Sequence, residues 1–105
     1  MAGTSTELDK LVDAIVQAVH PLQIILFGSA VRDRMRQDSD IDVLVVMPKG
    51  THRRHTAQHL YRVIEGVTIP FDLIVATPTD LERHRQTPGL IYETILREGK
   101  TLYVA

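Results

Sequence analysis

Apolar residues recur at Leu8, Leu11, Val12, Ile15, Val16 and Val19, and these steps of three and four predict an amphipathic helix with one face on a core. Thr6, followed three residues later by Asp9, predicts a capped start at that point, and Pro21 predicts the end. The period then changes. Residues 22–27, LQIILF, form a short β-branched run stopped by Gly28, which predicts a strand. Residues 41–47, IDVLVVM, are almost continuously apolar after Asp42, so this second strand is expected to be covered on both faces before Pro48 and Gly50 end it. Within residues 51–66, Ala57, Leu60, Tyr61 and Ile64 line one side of a helix, with Gly66 placed as a left-handed cap. A third strand is expected in residues 67–76, where Pro70 interrupts the donor ladder and suits a strand start or a sheet edge. Thr77-Pro78 and Thr87-Pro88 are cap and first-turn pairs for two short helices, and residues 100–105 read as a last strand. Helices and strands roughly alternate, so the expected class is α/β or α+β: a small mixed sheet flanked by helices.

A chain of 105 residues supplies one hydrophobic core, so residues 1–105 are expected to form a single domain. Twelve Lys and Arg against thirteen Asp and Glu leave a net charge of -1, which removes the overall pull that direct, non-specific nucleic-acid binding relies on. Any site for a polyanion must be local. With no cysteine there is neither a disulfide framework nor a thiolate metal site. No apolar run reaches the length of a membrane span, and the polar opening MAGTSTELDK lacks a secretory segment, so a cytoplasmic protein is expected.

The chemistry concentrates where polar residues interrupt this pattern. Asp40 and Asp42 open a core strand, although charge is costly to remove from water unless it is paired or bound to a metal. Residues two apart in a strand share a face, so the two carboxylates sit side by side and repel. A hard divalent cation relieves that repulsion; magnesium takes one or two protein carboxylates and completes its shell with water and phosphate. Asp72, inside the apolar run PFDLIV, offers a third carboxylate on a later strand, and three acids on neighbouring strands can hold two ions. Taken singly, an aspartate is better read as structural, Asp40 capping a turn and Asp72 pairing with a core arginine; the three together favour the metal. Gly28 and Ser29 end the first strand, where a glycine allows close backbone approach and exposed amides can hold phosphate, with Arg32 within reach of the same oxygens.

Gly28-Ser29, ten intervening residues and then Asp40-Ile41-Asp42, with Asp72 on a later strand, resembles the signature of the DNA polymerase beta-like nucleotidyltransferase superfamily. Length and the ending ILREGKTLYVA are similar to its smallest members, the minimal nucleotidyltransferases. The chain differs from many of these in placing Ala30 and Val31 between Gly28-Ser29 and Arg32. The resemblance implies transfer of a nucleoside monophosphate, AMP from ATP in the first instance, to a hydroxyl with release of pyrophosphate. It implies that Asp40 and Asp42 bind two magnesium ions, that Asp72 binds the ion activating the hydroxyl, and that Gly28 and Ser29 hold the triphosphate. It also implies a partner: minimal members commonly act as antitoxins that adenylylate a tyrosine of a HEPN-domain ribonuclease toxin.

Two other functions compete with this one. A binding module could neutralise a partner by contact alone, and larger relatives transfer nucleotides to small molecules such as aminoglycosides, although no acceptor domain is evident here. The sequence does not give the oligomeric state and leaves a homo-oligomer open. His52, His55 and His59 share one helical face opposite Ala57, Leu60 and Ile64, and with Arg53, Arg54 and Arg62 they read as a solvated basic surface rather than a zinc site. Arg34 and Arg36 read as parts of a solvated loop diluted by Asp33 and Asp38, and Tyr61, Tyr92 and Tyr103 as core or rim packing.

Overall fold

The apolar runs pair into a four-stranded sheet in the order β3-β2-β1-β4, from β1 (Gln23–Phe27), β2 (Ile41–Val46), β3 (Phe71–Ala76) and β4 (Lys100–Val104). The computed structural model describes residues 2–28, 40–84, 87 and 91–105, with side chains from Glu7 onward. β1 runs antiparallel to both β2 and β4, whereas β2 and β3 are parallel, so the sheet is mixed as the pattern predicts. Parallel neighbours need a crossover. It is provided by helix α2 (Arg53–Val63), which starts after the turn at Gly50 and packs Leu60 into the core.

The sheet has two unequal sides. Helix α1 (Ala2–Val19) and α2 cover one, where Leu8, Leu11, Ile15 and Leu60 meet Ile24, Leu26, Ile41, Val43, Val45, Leu73 and Val75. The other side carries a smaller cluster, in which Ile25, Leu44, Val46 and Ala76 pack on Ile95 of helix α4 (Ile91–Glu98), with Leu81 of helix α3 (Pro78–His84) at its border. β2, central and covered on both sides, is buried from Val43 to Val46, which explains its unbroken apolar sequence. Gly99 closes the turn from α4 into β4: a Cβ there would lie 2.5 Å from the Ile95 carbonyl oxygen and 2.6 Å from Ile25 Cγ2.

Several expected boundaries move. α1 begins at Ala2, so Thr6 lies inside the helix rather than at its cap; the apolar stripe starts at Leu8, but the backbone helix extends beyond the stripe that marks it. Its C-terminus is where Pro21 places it, with His20 in the left-handed region (φ 50°) and its N–H donating to the Val16 carbonyl at 3.0 Å. α2 ends at Val63, and Ile64 is already extended, so left-handed Gly66 shapes the following turn instead of capping the helix. β3 starts only after Pro70, at a sheet edge, in accord with a residue that cannot donate. Thr77 caps α3, with its hydroxyl accepting from the Asp80 N–H while Asp80 Oδ2 accepts from the Thr77 N–H at 2.9 Å and hydroxyl at 3.0 Å. The Thr87-Pro88 pair falls partly outside the described residues.

Candidate active site

The parallel register aligns Asp42 of β2 with Asp72 of β3, and Phe27 of β1 with Asp42 on the other side. Aligned residues in a sheet project to the same face. Asp42 and Asp72 therefore lie on the α3–α4 side, in line with Leu44, Ile74, Val46 and Ala76, at the end of the strands where β2 and β3 begin. Asp40 sits one residue before β2 and is exposed, as is Asp72; Asp42 is half-buried. Burial pushes the Asp42 carboxyl above its ordinary range, and the negative charges of Asp72 and then Asp40 push it further. The three acids thus share one electrostatic neighbourhood.

Gly28 forms the wall of this neighbourhood. It follows β1 in the left-handed region (φ 82°), where side chains are disfavoured. A Cβ at this position would overlap Asp42 Oδ2 and lie 3.3 Å from Asp42 Cγ, so glycine is required by both backbone angle and space. Gly28, at the start of the predicted phosphate-holding turn, is consequently pressed against the predicted metal-binding carboxylate. Ser29 and Arg32, with Ala30, Val31, Arg34 and Arg36, lie outside the described residues.

The donor set suits a hard cation. Among the described residues no lysine, arginine or histidine pairs with Asp40, Asp42 or Asp72, and like charge raises the central carboxyl. Among the described residues no group of three or more His, Cys, Asp or Glu is gathered closely enough to hold a metal ion, so Asp40, Asp42 and Asp72 do not come together as a three-acid group. An aligned pair with a third acid nearby is a half-shell, which fits magnesium's habit of completing its octahedron with water and phosphate.

The histidines form no such group. His52 caps α2, its Nδ1 accepting from the His55 N–H at 3.2 Å, and the two rings stack with centroids 3.8 Å apart. Both are exposed, in keeping with a solvated surface. An open cavity of about 420 Å³ beside them, lined by Thr51, His52, Arg53, Arg54 and Val75, lies at the far end of the strands from the carboxylates. Tyr61 does more than pack: its hydroxyl accepts from the Leu73 N–H at 2.8 Å. Nothing local in the sequence signals that contact, because it depends on where the crossover sets α2 beside β3.

Comparison with known proteins bears on the family and the fold. Residues 8–101 match the nucleotidyltransferase domain family. Among solved structures, a Sulfolobus solfataricus protein provisionally assigned as a nucleotidyltransferase aligns at a TM-score of 0.65 and 19% identity, over 96% of this chain and 80% of that one. A toxin-antitoxin structure with AMP-PNP aligns at a TM-score of 0.60 and 22% identity, over 92% of this chain and 73% of the other. No curated protein matches the sequence. The two structural likenesses speak for the fold. With nearly the whole sequence matched and two acids aligned across the parallel strands beside a glycine turn, this chain belongs to the nucleotidyltransferase domain family.

Proposed function

We propose that the chain is a minimal, single-domain nucleotidyltransferase that moves AMP from ATP onto a hydroxyl, with Asp40, Asp42 and Asp72 as its catalytic acids. The observation that carries this reading is the alignment of Asp42 with Asp72 across parallel strands, with Gly28 packed against the Asp42 carboxylate. In the reaction the acceptor oxygen forms a bond to the α-phosphorus, the bond from that phosphorus to the bridging oxygen breaks, pyrophosphate departs and the hydroxyl proton passes to solvent. Asp40 and Asp42 would hold two magnesium ions and Asp72 the one beside the acceptor. Magnesium bound there neutralises phosphate charge and lowers the pKa of the attacking hydroxyl. Gly28 leaves room for backbone amides to approach the triphosphate, Ser29 adds a hydroxyl donor and Arg32 a charged one. Positioning and charge neutralisation then supply most of the rate.

The acceptor in this reading is a tyrosine of a HEPN-domain toxin, and the chain is its antitoxin. The likeness to a toxin-antitoxin structure with AMP-PNP supports a nucleotide and a protein partner together. Incubation with ATP labelled at the α-phosphate, magnesium and the candidate toxin tests the reading. Label should appear on the toxin and disappear in Asp40→Asn/Asp42→Asn. Toxin neutralised without label, and neutralised equally by the double variant, would show that binding alone is the function. Label on an aminoglycoside instead would place the acceptor among small molecules.

A further inference from the structure

β3 is an edge strand, and Asp72 is its second residue. The Ile41 N–H donates to the Pro70 carbonyl and the Met47 N–H to the Ala76 carbonyl, so the even-numbered residues of this stretch bond to β2 while the odd-numbered ones turn their backbone outward. Among the described residues this edge has no neighbouring strand to hold it, and it follows the exposed turn around Gly66. Tyr61 meets it from α2. The Tyr61 hydroxyl accepts from the outward Leu73 N–H at 2.8 Å, and its ring stacks on Phe71 with centroids 5.7 Å apart and planes within 6°. Phe71 and Leu73 are the two residues that flank Asp72.

The geometry points to Tyr61 as the residue that positions Asp72: from α2 it holds both neighbours of that carboxylate on the open edge of the sheet. Tyr61 lies on the α1–α2 side and Asp72 on the other, so Tyr61 touches no reacting group and acts only through the strand. A carboxylate on a fraying edge samples positions away from its partner, and each departure weakens a cation shared with Asp42. This role rests on the reading of Asp72 as a metal ligand.

Manganese, a magnesium substitute visible by electron paramagnetic resonance, tests it in the intact protein with a non-hydrolysable ATP analogue. Tyr61→Phe keeps the ring and removes the hydroxyl. It should weaken manganese binding about three- to tenfold, the range one hydrogen bond commands, and speed hydrogen exchange at the Leu73 amide. Phe71→Leu, which keeps the hydroxyl and removes the stacking partner, should shift both readouts in the same direction. On an Asp72→Asn background, Tyr61→Phe should change metal affinity no further, because the carboxylate through which it acts is gone. Faster exchange at Leu73 with unchanged manganese affinity would overturn the positioning role and leave Tyr61 as an edge cover. A Tyr61→Phe effect equal on both backgrounds would overturn it as well. Wild-type protein that neither binds manganese with nucleotide nor transfers label would remove the proposed function and this role together, whereas active wild type with an unaltered Tyr61→Phe variant removes this role alone.

Discussion

The parallel pair of β2 and β3 carries aspartates at both ends, and the two ends treat them oppositely. Where the strands begin, Asp42 faces Asp72 and Asp40 with burial and like charge raising its carboxyl. Beyond the end of β3, burial also works against ionised Asp80, but the Thr77 N–H and hydroxyl, Arg53 at 3.5 Å and Arg83 outweigh it, and its carboxyl is held below the ordinary range. Asp80 is satisfied by its own helix cap and a cation. Asp42 is left wanting one. The comparison separates an acid held by its own fold from one whose charge the fold leaves uncompensated, the one read here as a metal ligand, a difference that residue type alone does not carry.

The sharpest way to break the comparison is to neutralise each acid. Asp42→Asn should lower nucleotidyl transfer about 10²- to 10³-fold, the scale of losing one electrostatic contact to a developing charge, while leaving the melting temperature of the metal-free protein unchanged or higher. Asp80→Ala should lower stability by about 1 kcal/mol through loss of the cap and leave the turnover rate near that of wild type. Steady-state assays and thermal melts on the same preparations read both. Comparable losses of activity from the two variants would erase the distinction between the ends.

Gly28→Ala probes the wall of the site. The added Cβ must displace the Asp42 carboxylate and adopt a left-handed backbone, so the variant should lose about 1–3 kcal/mol of stability and most of its transfer activity, as read by chemical denaturation and the label assay. Gly50 is also left-handed but has open space around it; Gly50→Ala should bring the backbone cost without the loss of activity.

The smallest effect is on pH dependence, and its sign differs between the ends. A carboxyl raised in the folded state takes up a proton more readily there, so Asp42 contributes a loss of stability as pH rises from its unfolded value of 3.8 through the folded one. Asp80, lowered when folded, contributes stability that is present above 3.8 and fades as pH falls through its folded value. Melts of metal-free protein between about pH 3 and pH 6 should therefore show a shallower decline on the upper side in Asp42→Asn and a shallower decline on the acid side in Asp80→Ala. Magnesium with nucleotide should reverse the Asp42 contribution.

Much of the fold was legible because the helical period stops at Pro21, a β-branched run stops at Gly28, and the unbroken apolar run of β2 announces a strand covered on both sides. Pro70 marked the start of an edge strand correctly. The helix ends were less legible: Thr6 has the chemistry of a cap but the backbone helix passes through it, and Gly66 is left-handed without capping α2. Of the candidate site, Asp40, Asp42, Asp72 and Gly28 stood out as polar or small residues breaking an apolar pattern. The register that aligns Asp42 with Asp72 did not, since it is set by how the crossover helix packs rather than by either strand alone. Tyr61 was hidden for the same reason.

The unequal sides of the sheet bear on how this protein can change. The heavier apolar layer, with α1 and α2, lies on the side away from the aligned acids, and the lighter one shares its side with them. Under the proposed function, replacing those acids would silence the reaction while leaving most of the packing that defines the shape undisturbed. A lineage could thus discard the chemistry and retain an intact scaffold, so a silent descendant would still present the same outer contours to whatever it meets.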